Sequence, residues 1–213
     1  MTINRLLLLA AGILVLSMQQ ALADNTVFIE DLPPLGQDAD RTGAMIWLKP
    51  DLDRAYYTQV MIEPITIFIS QDSKYKGLNA DDLKALADGF IVALTETLEP
   101  EVPVLNKSGP GILYLRAALT NVKLAKKKKS ILNYTPVGLV ATAAADAAGL
   151  RISLQEAVLE IELLDSVSGE RLGVIVDKSP KAAGEKMSWD AINATFVDYG
   201  ERFKARMKEA VTK

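Results

Sequence analysis

The sequence predicts an α+β fold: a two-layer domain whose largely antiparallel sheet carries two amphipathic helices on one face. Three observations support this class. Short segments alternate apolar and polar residues, which is the pattern of strands with one buried face. Two longer segments repeat apolar residues at helical spacing, as helices packed on a sheet do. The elements follow in the order strand, strand, helix, strand, irregular insert, hairpin and helix, so two helices are available to cover the sheet.

The N-terminus, residues 1–23, predicts a cleavable secretory signal peptide. Arg5 supplies a positive charge before an unbroken apolar run, Leu6–Leu16. Ala21-Leu22-Ala23 matches an A-x-A cleavage site, so cleavage is expected after Ala23. The apolar run is much shorter than the roughly 20 residues of a membrane span. We therefore expect a periplasmic protein that begins at Asp24 and has no transmembrane segment in the mature chain.

Composition excludes several kinds of site. The chain of 213 residues contains neither cysteine nor histidine. It therefore has no disulfide, no lipobox cysteine for a lipid anchor, no Cys/His zinc site and no histidine-dependent catalytic triad. Its formal net charge is −3, whereas proteins that bind nucleic acids usually have an excess of basic residues, so no nucleic-acid partner is expected. We predict no cofactor, no metal site and no catalytic residue, and hence a protein that is not an enzyme.

The first elements of the mature chain are an arm and two strands. Residues 24–43 predict an irregular N-terminal arm, and a single α+β domain is expected over residues 44–213. Ala44–Leu48 predicts a short strand. Tyr57–Ile69 is rich in β-branched residues and predicts a second strand. The alternation slips at Glu63-Pro64, which predicts a bulge or kink because proline cannot donate to the ladder.

Each of the two predicted helices has a capping residue and one apolar stripe. Asn79 is the N-cap of the first helix, which Pro100 ends, and Ser188 is the N-cap of the second. The stripe of the first helix comprises Leu83, Leu86, Phe90, Leu94 and Leu98. The stripe of the second comprises Trp189, Ile192, Phe196, Tyr199, Phe203 and Met207. Both stripes are interpreted as core that packs on the sheet.

The remaining strands are predicted in the second half of the chain. Ile112–Val122 alternates apolar and polar residues as a strand does. Ala157–Asp165 repeats the pattern, the turn Ser166–Gly169 follows, and a return strand begins at Leu172. These segments predict a β-hairpin.

An insert at about 123–150 interrupts this pattern. It contains the lysine run Lys126–Lys129 and the small-residue stretch Gly138–Leu150. One interpretation is a solvated loop followed by a tightly packed helix, and another is a contact surface for a protein partner or an anionic membrane. The residues predicted to make such contacts are Lys126, Lys127, Lys128, Lys129, Tyr134, Val137, Leu139 and Val140.

A second candidate site is acidic. Glu160 and Glu162 lie two positions apart on a predicted strand and share a face, with Asp165 nearby. Paired carboxylates serve as acid and base in glycoside hydrolysis. The competing interpretation is an exposed face with cross-strand ion pairs, for which Arg116 is available.

Several segments together resemble the bacterial domain of unknown function 3313 family. They are Val60–Phe68, Gly109-Pro110 with the following Leu115–Thr120, Ala157–Glu170 and Ser188-Trp189. The resemblance covers roughly Asp40 to Lys208. It implies an envelope-located α+β protein without an established activity, so no functional residue is carried over. Many members resemble lipoproteins, and this chain departs from them by having no cysteine.

Three functional hypotheses follow. The first is a non-enzymatic accessory protein that binds another protein of the cell envelope. The second is a peripheral binder of anionic lipid or lipopolysaccharide through the lysine run. The third is a hydrolase that uses carboxylates alone, which requires a cleft with at least two converging carboxylates.

Overall fold

The computed structural model describes residues 28–76, 80–126 and 152–211. The strands are β1 (Gly36–Gln37), β2 (Ala44–Leu48), β3 (Gln59–Ile62), β4 (Thr66–Ile69), β5 (Val104–Leu105), β6 (Ile112–Lys126), β7 (Ile152–Asp165) and β8 (Arg171–Asp177). The α-helices are α1 (Ala80–Leu98) and α2 (Trp189–Val211), and a short 3₁₀ helix spans Arg54–Tyr56.

The described strands form one open, mixed sheet. Their order is β1-β2-β8-β7-β6-β3-β5, and β4 pairs with β6. The part from β1 to β6 is antiparallel, whereas β3 runs parallel to β5 and β6, and β4 parallel to β6. The parallel part arises because α1 lies between β4 and β5 and carries the chain back along the sheet. The α+β class is confirmed, and the parallel half refines the largely antiparallel sheet that was predicted.

The predicted break in Tyr57–Ile69 is confirmed. The segment divides into β3 and β4, which pair with successive stretches of β6. Glu63–Ile65 lies between them, and the backbone N–H of Glu63 still donates to the carbonyl of Leu115 at 2.9 Å. The chain therefore bends around the proline while it stays paired with β6.

The two helices bury the predicted stripes against the same face of the sheet. Phe90 and Phe196 are fully buried, and their ring centroids lie 5.1 Å apart. The Ser188 side chain accepts from the backbone N–H of Ala191 at 3.1 Å and so caps α2 as predicted. These contacts join both helices and the sheet in one hydrophobic cluster.

The hairpin of β7 and β8 is confirmed, and the strands around the insert are longer than predicted. Asp165 closes the turn by accepting from the backbone N–H groups of Val167 and Ser168. β6 continues to Lys126, and β7 begins at Ile152. The first four residues of the predicted insert, 123–126, therefore belong to a strand, because their backbone pairs with β7.

The described part of the predicted irregular arm, residues 28–43, differs from that prediction. β1 lies within it and pairs with β2 at the edge of the sheet. Before β1, Ile29 is buried with Val174 and Val176 in a second hydrophobic cluster on the face of the sheet opposite the helices. The arm therefore forms a third layer. The sequence did not predict this layer, because polar residues on this face of the strands were interpreted as exposed.

Candidate functional site

A cavity of about 110 Å³ lies between α2 and the helix-covered face of the sheet. Strands β2, β6, β7 and β8 form its floor, and both α-helices contribute to its walls. Apolar side chains make up nearly all of the lining, including Ile46, Leu48, Leu113, Leu163, Ile175 and Phe203. The cavity is therefore apolar and preformed, and strands and α-helices supply most of its lining.

Close contact between the two helices positions α2 over the cavity. A Cβ atom at Gly200 would lie 3.0 Å from side-chain carbons of both Leu94 and Thr97. Glycine therefore lets α2 approach α1 closely at this point. The cavity occupies the space that remains between α2 and strands β2 and β8.

Three arginines, Arg54, Arg202 and Arg206, are the charged residues of the cavity lining and are called here the arginine rim. Arg54 comes from the 3₁₀ helix, is exposed, and has no ion-pair partner among the described residues. Arg206 keeps 34% of its side chain exposed and pairs with Asp40 at 2.7 Å. No carboxylate occurs among the described residues that line the cavity. The lining therefore offers guanidinium groups beside an apolar interior, and two of these groups pair with carboxylates outside the lining.

Arg202 is the most buried member of the rim, with 19% of its side chain exposed. Its Nη1 donates to Asp38 at 3.3 Å, and its guanidinium lies 4.5 Å from the ring centroid of Tyr199. Nη2 lies 3.2 Å from Asp198. Nε and Nη2 are nevertheless buried without a hydrogen bond among the described residues. Arg202 therefore retains donors that an incoming carboxylate would satisfy.

Two tyrosines line the cavity, and the hydroxyl of each donates a hydrogen bond to a carboxylate outside the lining. The hydroxyl of Tyr57 donates to Asp165 at 3.0 Å. Burial and this carboxylate raise the pKa of Tyr57 to about 12. Burial, followed by the charge of Asp177, raises the pKa of Tyr199 above its ordinary value. Both rings therefore remain neutral near pH 7 and add apolar surface to the lining.

A buried polar cluster fixes α2 to the sheet next to the cavity. Asp177 is fully buried at the end of β8 and accepts from the Nε of Arg41 and, at 3.1 Å, from the hydroxyl of Tyr199. Arg41 also donates to the hydroxyl of Thr195 in α2 at 3.1 Å. The position of α2 over the cavity therefore depends on an ion pair that is almost closed to solvent.

The interpretation of Glu160 and Glu162 as an exposed pair is wrong. Glu160 is fully buried and Glu162 is 4% exposed, because the N-terminal arm covers this face of the sheet. Glu160 accepts from the backbone N–H groups of Phe28 and Ile29 at 3.2 and 3.1 Å, and from the hydroxyl of Thr120 at 2.6 Å. The residue therefore binds the arm to the sheet.

Glu162 and Asp165 also have structural partners. Glu162 accepts from Arg116 at 2.8 Å and from Arg171 at 2.7 Å, so the predicted cross-strand ion pair with Arg116 exists but is mostly buried. Arg171 in turn donates to two backbone carbonyls of the arm, those of Glu30 and Asp31. The three predicted carboxylates therefore do not converge on the cavity.

Of the predicted contact residues in the insert, only Lys126 lies in a described part of the chain. It is exposed at the end of β6, and its Nζ lies 5.5 Å from the ring centroid of Tyr75. Lys127, Lys128, Lys129, Tyr134, Val137, Leu139 and Val140 lie outside the described residues. Their contact role stays a prediction.

The structure gives two further results that concern function. Across residues 28–76, 80–126 and 152–211, no group of three or more acidic side chains is placed to hold a metal ion. Neither α-helix in these ranges combines the length and apolarity needed to cross a bilayer. The cavity with its arginine rim is therefore the candidate site.

The described residues therefore form an α+β fold with a small apolar cavity beneath α2. The family model for a protein of unknown function, DUF3313, matches residues 24–202. The chain therefore belongs to this family, as its strand and hairpin segments predicted.

Two curated relatives and two solved structures show how far the similarity extends. The chain is 24% identical over 146 residues to the uncharacterized lipoprotein YdcL of Escherichia coli strain K12, and equally to that of Escherichia coli O157:H7. The match covers 67% of this chain and 65% of each relative, just under two thirds of its length.

Among solved structures, the chain is similar to the PelC dodecamer from Paraburkholderia phytofirmans, with 11% identity and a TM-score of 0.36 over 75% of this chain and 94% of that one. It is also similar to a PDZ domain protein from Parabacteroides distasonis, with 11% identity and a TM-score of 0.33 over 75% and 33% of the two chains. At these TM-scores the likeness supports no inference about assembly or function.

Proposed function

We propose that this protein is a non-catalytic accessory protein of the bacterial cell envelope. In this role it binds another envelope protein, and the cavity beneath α2 receives an apolar side chain of that partner. The single observation that carries this function is the preformed apolar cavity with charged residues only at its rim. Such pockets hold the anchor residues that dominate protein interfaces.

Two points support an envelope location. The curated relatives are lipoproteins by name. The N-terminal sequence of this chain has the charged, apolar and small-residue parts of a secretory signal. A secreted relative of a lipoprotein family would meet its partner in the periplasm.

The size of the cavity favours a side chain over a whole small molecule. Sites that enclose drug-sized ligands measure roughly 300–1,000 Å³, whereas a cavity of about 150 Å³ holds benzene. At about 110 Å³, this cavity accommodates one apolar group of the size of a leucine or phenylalanine side chain. The rest of such a ligand would lie on the surface, as the backbone of a partner protein does.

The engagement of the carboxylates supports a non-catalytic role. Glu160 and Glu162 hold the N-terminal arm, and Asp165 holds a turn. General acid–base chemistry needs carboxyl groups within reach of a bound substrate. The residues that line the cavity instead offer arginines and apolar carbons.

Crosslinking from a residue beside the arginine rim tests this function. Tyr56 is 51% exposed, follows Arg54 in the 3₁₀ helix, and its ring contacts that of Tyr57 with centroids 5.0 Å apart. A photoreactive benzoylphenylalanine at Tyr56 is therefore expected to crosslink the partner in intact cells. The matched control is the same substitution at Val92, which is 44% exposed on α1 and does not line the cavity.

The expected result is one protein adduct from position 56 that is absent from position 92, identified by mass spectrometry. An adduct of equal yield from both positions would show a contact unrelated to the cavity. Absence of a protein adduct from position 56, with an adduct to lipid in its place, would also overturn the proposed function.

A further inference from the structure

We infer that the group bound in the cavity carries a carboxylate next to its apolar side chain, so that the partner presents an acidic-apolar segment. This inference rests on the proposed function and specifies the chemistry of the partner. Its basis is the combination of an apolar interior with a rim whose charged residues are arginines. Complementary charge at the edge of an apolar pocket sets which partners an interface accepts.

The arginine rim has spare capacity for an anion. Arg54 has no ion-pair partner among the described residues. Nε of Arg202 is buried without a hydrogen bond among the same residues, and Nη2 has only the ion pair with Asp198 at 3.2 Å. Within the described part of the chain, Arg206 is engaged with one carboxylate, that of Asp40. A guanidinium offers five N–H donors, so each rim arginine still has donors for a ligand.

The carboxylates around the rim do not cancel this preference. Asp38, Asp40 and Asp198 pair with the rim arginines but do not line the cavity. A ligand carboxylate at the rim would therefore meet guanidinium donors first. A ligand with an ammonium or an amide at the same place would cover the rim arginines without supplying a negative charge. Burying these charges without a partner is unfavourable.

Because Arg202 is the most buried arginine of the rim, its preference for a carboxylate over a neutral group is expected to be strong. Charge-assisted hydrogen bonds are about twice as strong as neutral ones, and arginine binds carboxylates through two parallel bonds. Arg202 and Arg206 lie one helical turn apart on the same face of α2, as side chains at i and i+4 do. Both can therefore reach a carboxylate attached to a side chain in the cavity.

Four small probes test the inference on the purified full chain. They are N-acetylleucine, which carries a free carboxylate, the neutral N-acetylleucinamide, the cationic leucinamide, and hexanoate, which represents a fatty acid. Binding is measured by titration with observation of backbone amide signals in NMR. We expect N-acetylleucine to bind about tenfold more tightly than N-acetylleucinamide, since one hydrogen bond to a charged group is worth about that factor. Leucinamide is expected to bind most weakly.

Two variants show whether the arginine rim produces the difference. In Arg54→Gln/Arg206→Gln the ratio of the affinities for N-acetylleucine and N-acetylleucinamide is expected to decrease, and Arg202 supplies the preference that remains. Lys84→Gln is the control, because Lys84 is 73% exposed and lies outside the cavity lining. It is expected to retain the full preference.

The outcomes separate this inference from the proposed function. Equal binding of N-acetylleucine and N-acetylleucinamide by the wild-type chain would overturn the carboxylate preference and leave the cavity as an apolar anchor site. Tighter binding of hexanoate than of N-acetylleucine would assign the rim to a fatty acid and overturn the acidic-apolar segment. A carboxylate preference that is undiminished in the double variant would likewise contradict the role of the rim.

Discussion

Asp177→Ala is expected to lower the free energy of unfolding by about 4 kcal/mol. The carboxylate of Asp177 is fully buried and accepts from Arg41, from the hydroxyl of Tyr199 and from the backbone N–H of Ser179. The substitution leaves the guanidinium of Arg41 without its main partner in a site that excludes water. Urea denaturation of the purified protein measures the loss.

Asp198→Ala is the matched control for this prediction. Asp198 is half exposed and pairs with Arg41 at 3.5 Å and with Arg202 at 3.2 Å. Exposed pairs contribute roughly 0–1 kcal/mol, so the control is expected to unfold at nearly the wild-type urea concentration. Equal losses in the two variants would show that burial of Asp177 does not determine how α2 is held.

Glu160→Ala is expected to cost about 3 kcal/mol, since it leaves buried donors without an acceptor. These donors are the backbone N–H groups of Phe28 and Ile29 and the hydroxyl of Thr120. The loss has a specific location, because the N-terminal arm is expected to detach before the rest unfolds. Hydrogen exchange of the amides of Phe28 and Ile29 should therefore accelerate more than exchange in β7.

Glu156→Ala on the same strand provides the comparison for Glu160. Its side chain is 56% exposed and pairs with Lys123 at 2.9 Å. We expect a loss of less than about 1 kcal/mol and no change in exchange of the arm. If Glu160→Ala proved as mild as Glu156→Ala, the buried contacts between arm and sheet would not stabilise the fold as described.

The elements with strong local patterns could be predicted from the sequence. The stripes of α1 and α2 recur at helical spacing, and both bury that face against the sheet. The hairpin of β7 and β8 was predicted because two alternating segments flank a turn that contains Gly169. This glycine has a φ of 72°, a conformation that suits glycine at a turn.

The N-terminal arm could not be predicted, since its contacts depend on residues distant in the sequence. Glu160 and Glu162 alternate with apolar residues, a pattern typical of a half-exposed strand. Both glutamates are buried because Ile29 and its neighbours pack across that face. Ile29 and Glu160 are 131 positions apart in the sequence. Alternation alone does not distinguish a solvated face from one covered by a third layer.

The candidate site could not be predicted from the sequence either. The lining residues that belong to the helix stripes, such as Leu94 and Phe196, are predicted as core, but no local pattern indicates that a cavity lies beside them. Arg202 and Arg206 had a detectable signal, because they lie one turn apart beside the stripe of α2. Arg54 had none, since it belongs to a connector that only the tertiary fold brings to α2.

The most direct test of the cavity as a binding site is to fill it. Ile46 and Met45 are neighbours on β2 and are both partly buried, but Ile46 lines the cavity, and the side chain of Met45 lies on the opposite face of the strand. Affinity is measured for the protein that crosslinks at position 56, with wild type, Ile46→Phe and Met45→Phe side by side. Urea denaturation confirms that both variants are folded.

We predict that Ile46→Phe weakens binding at least about tenfold, a change of roughly 1.4 kcal/mol, while Met45→Phe binds as wild type does. The ring of the new phenylalanine occupies the space that the partner's side chain would enter. Equal affinity of all three proteins for the partner would contradict the assignment of the cavity as the binding site.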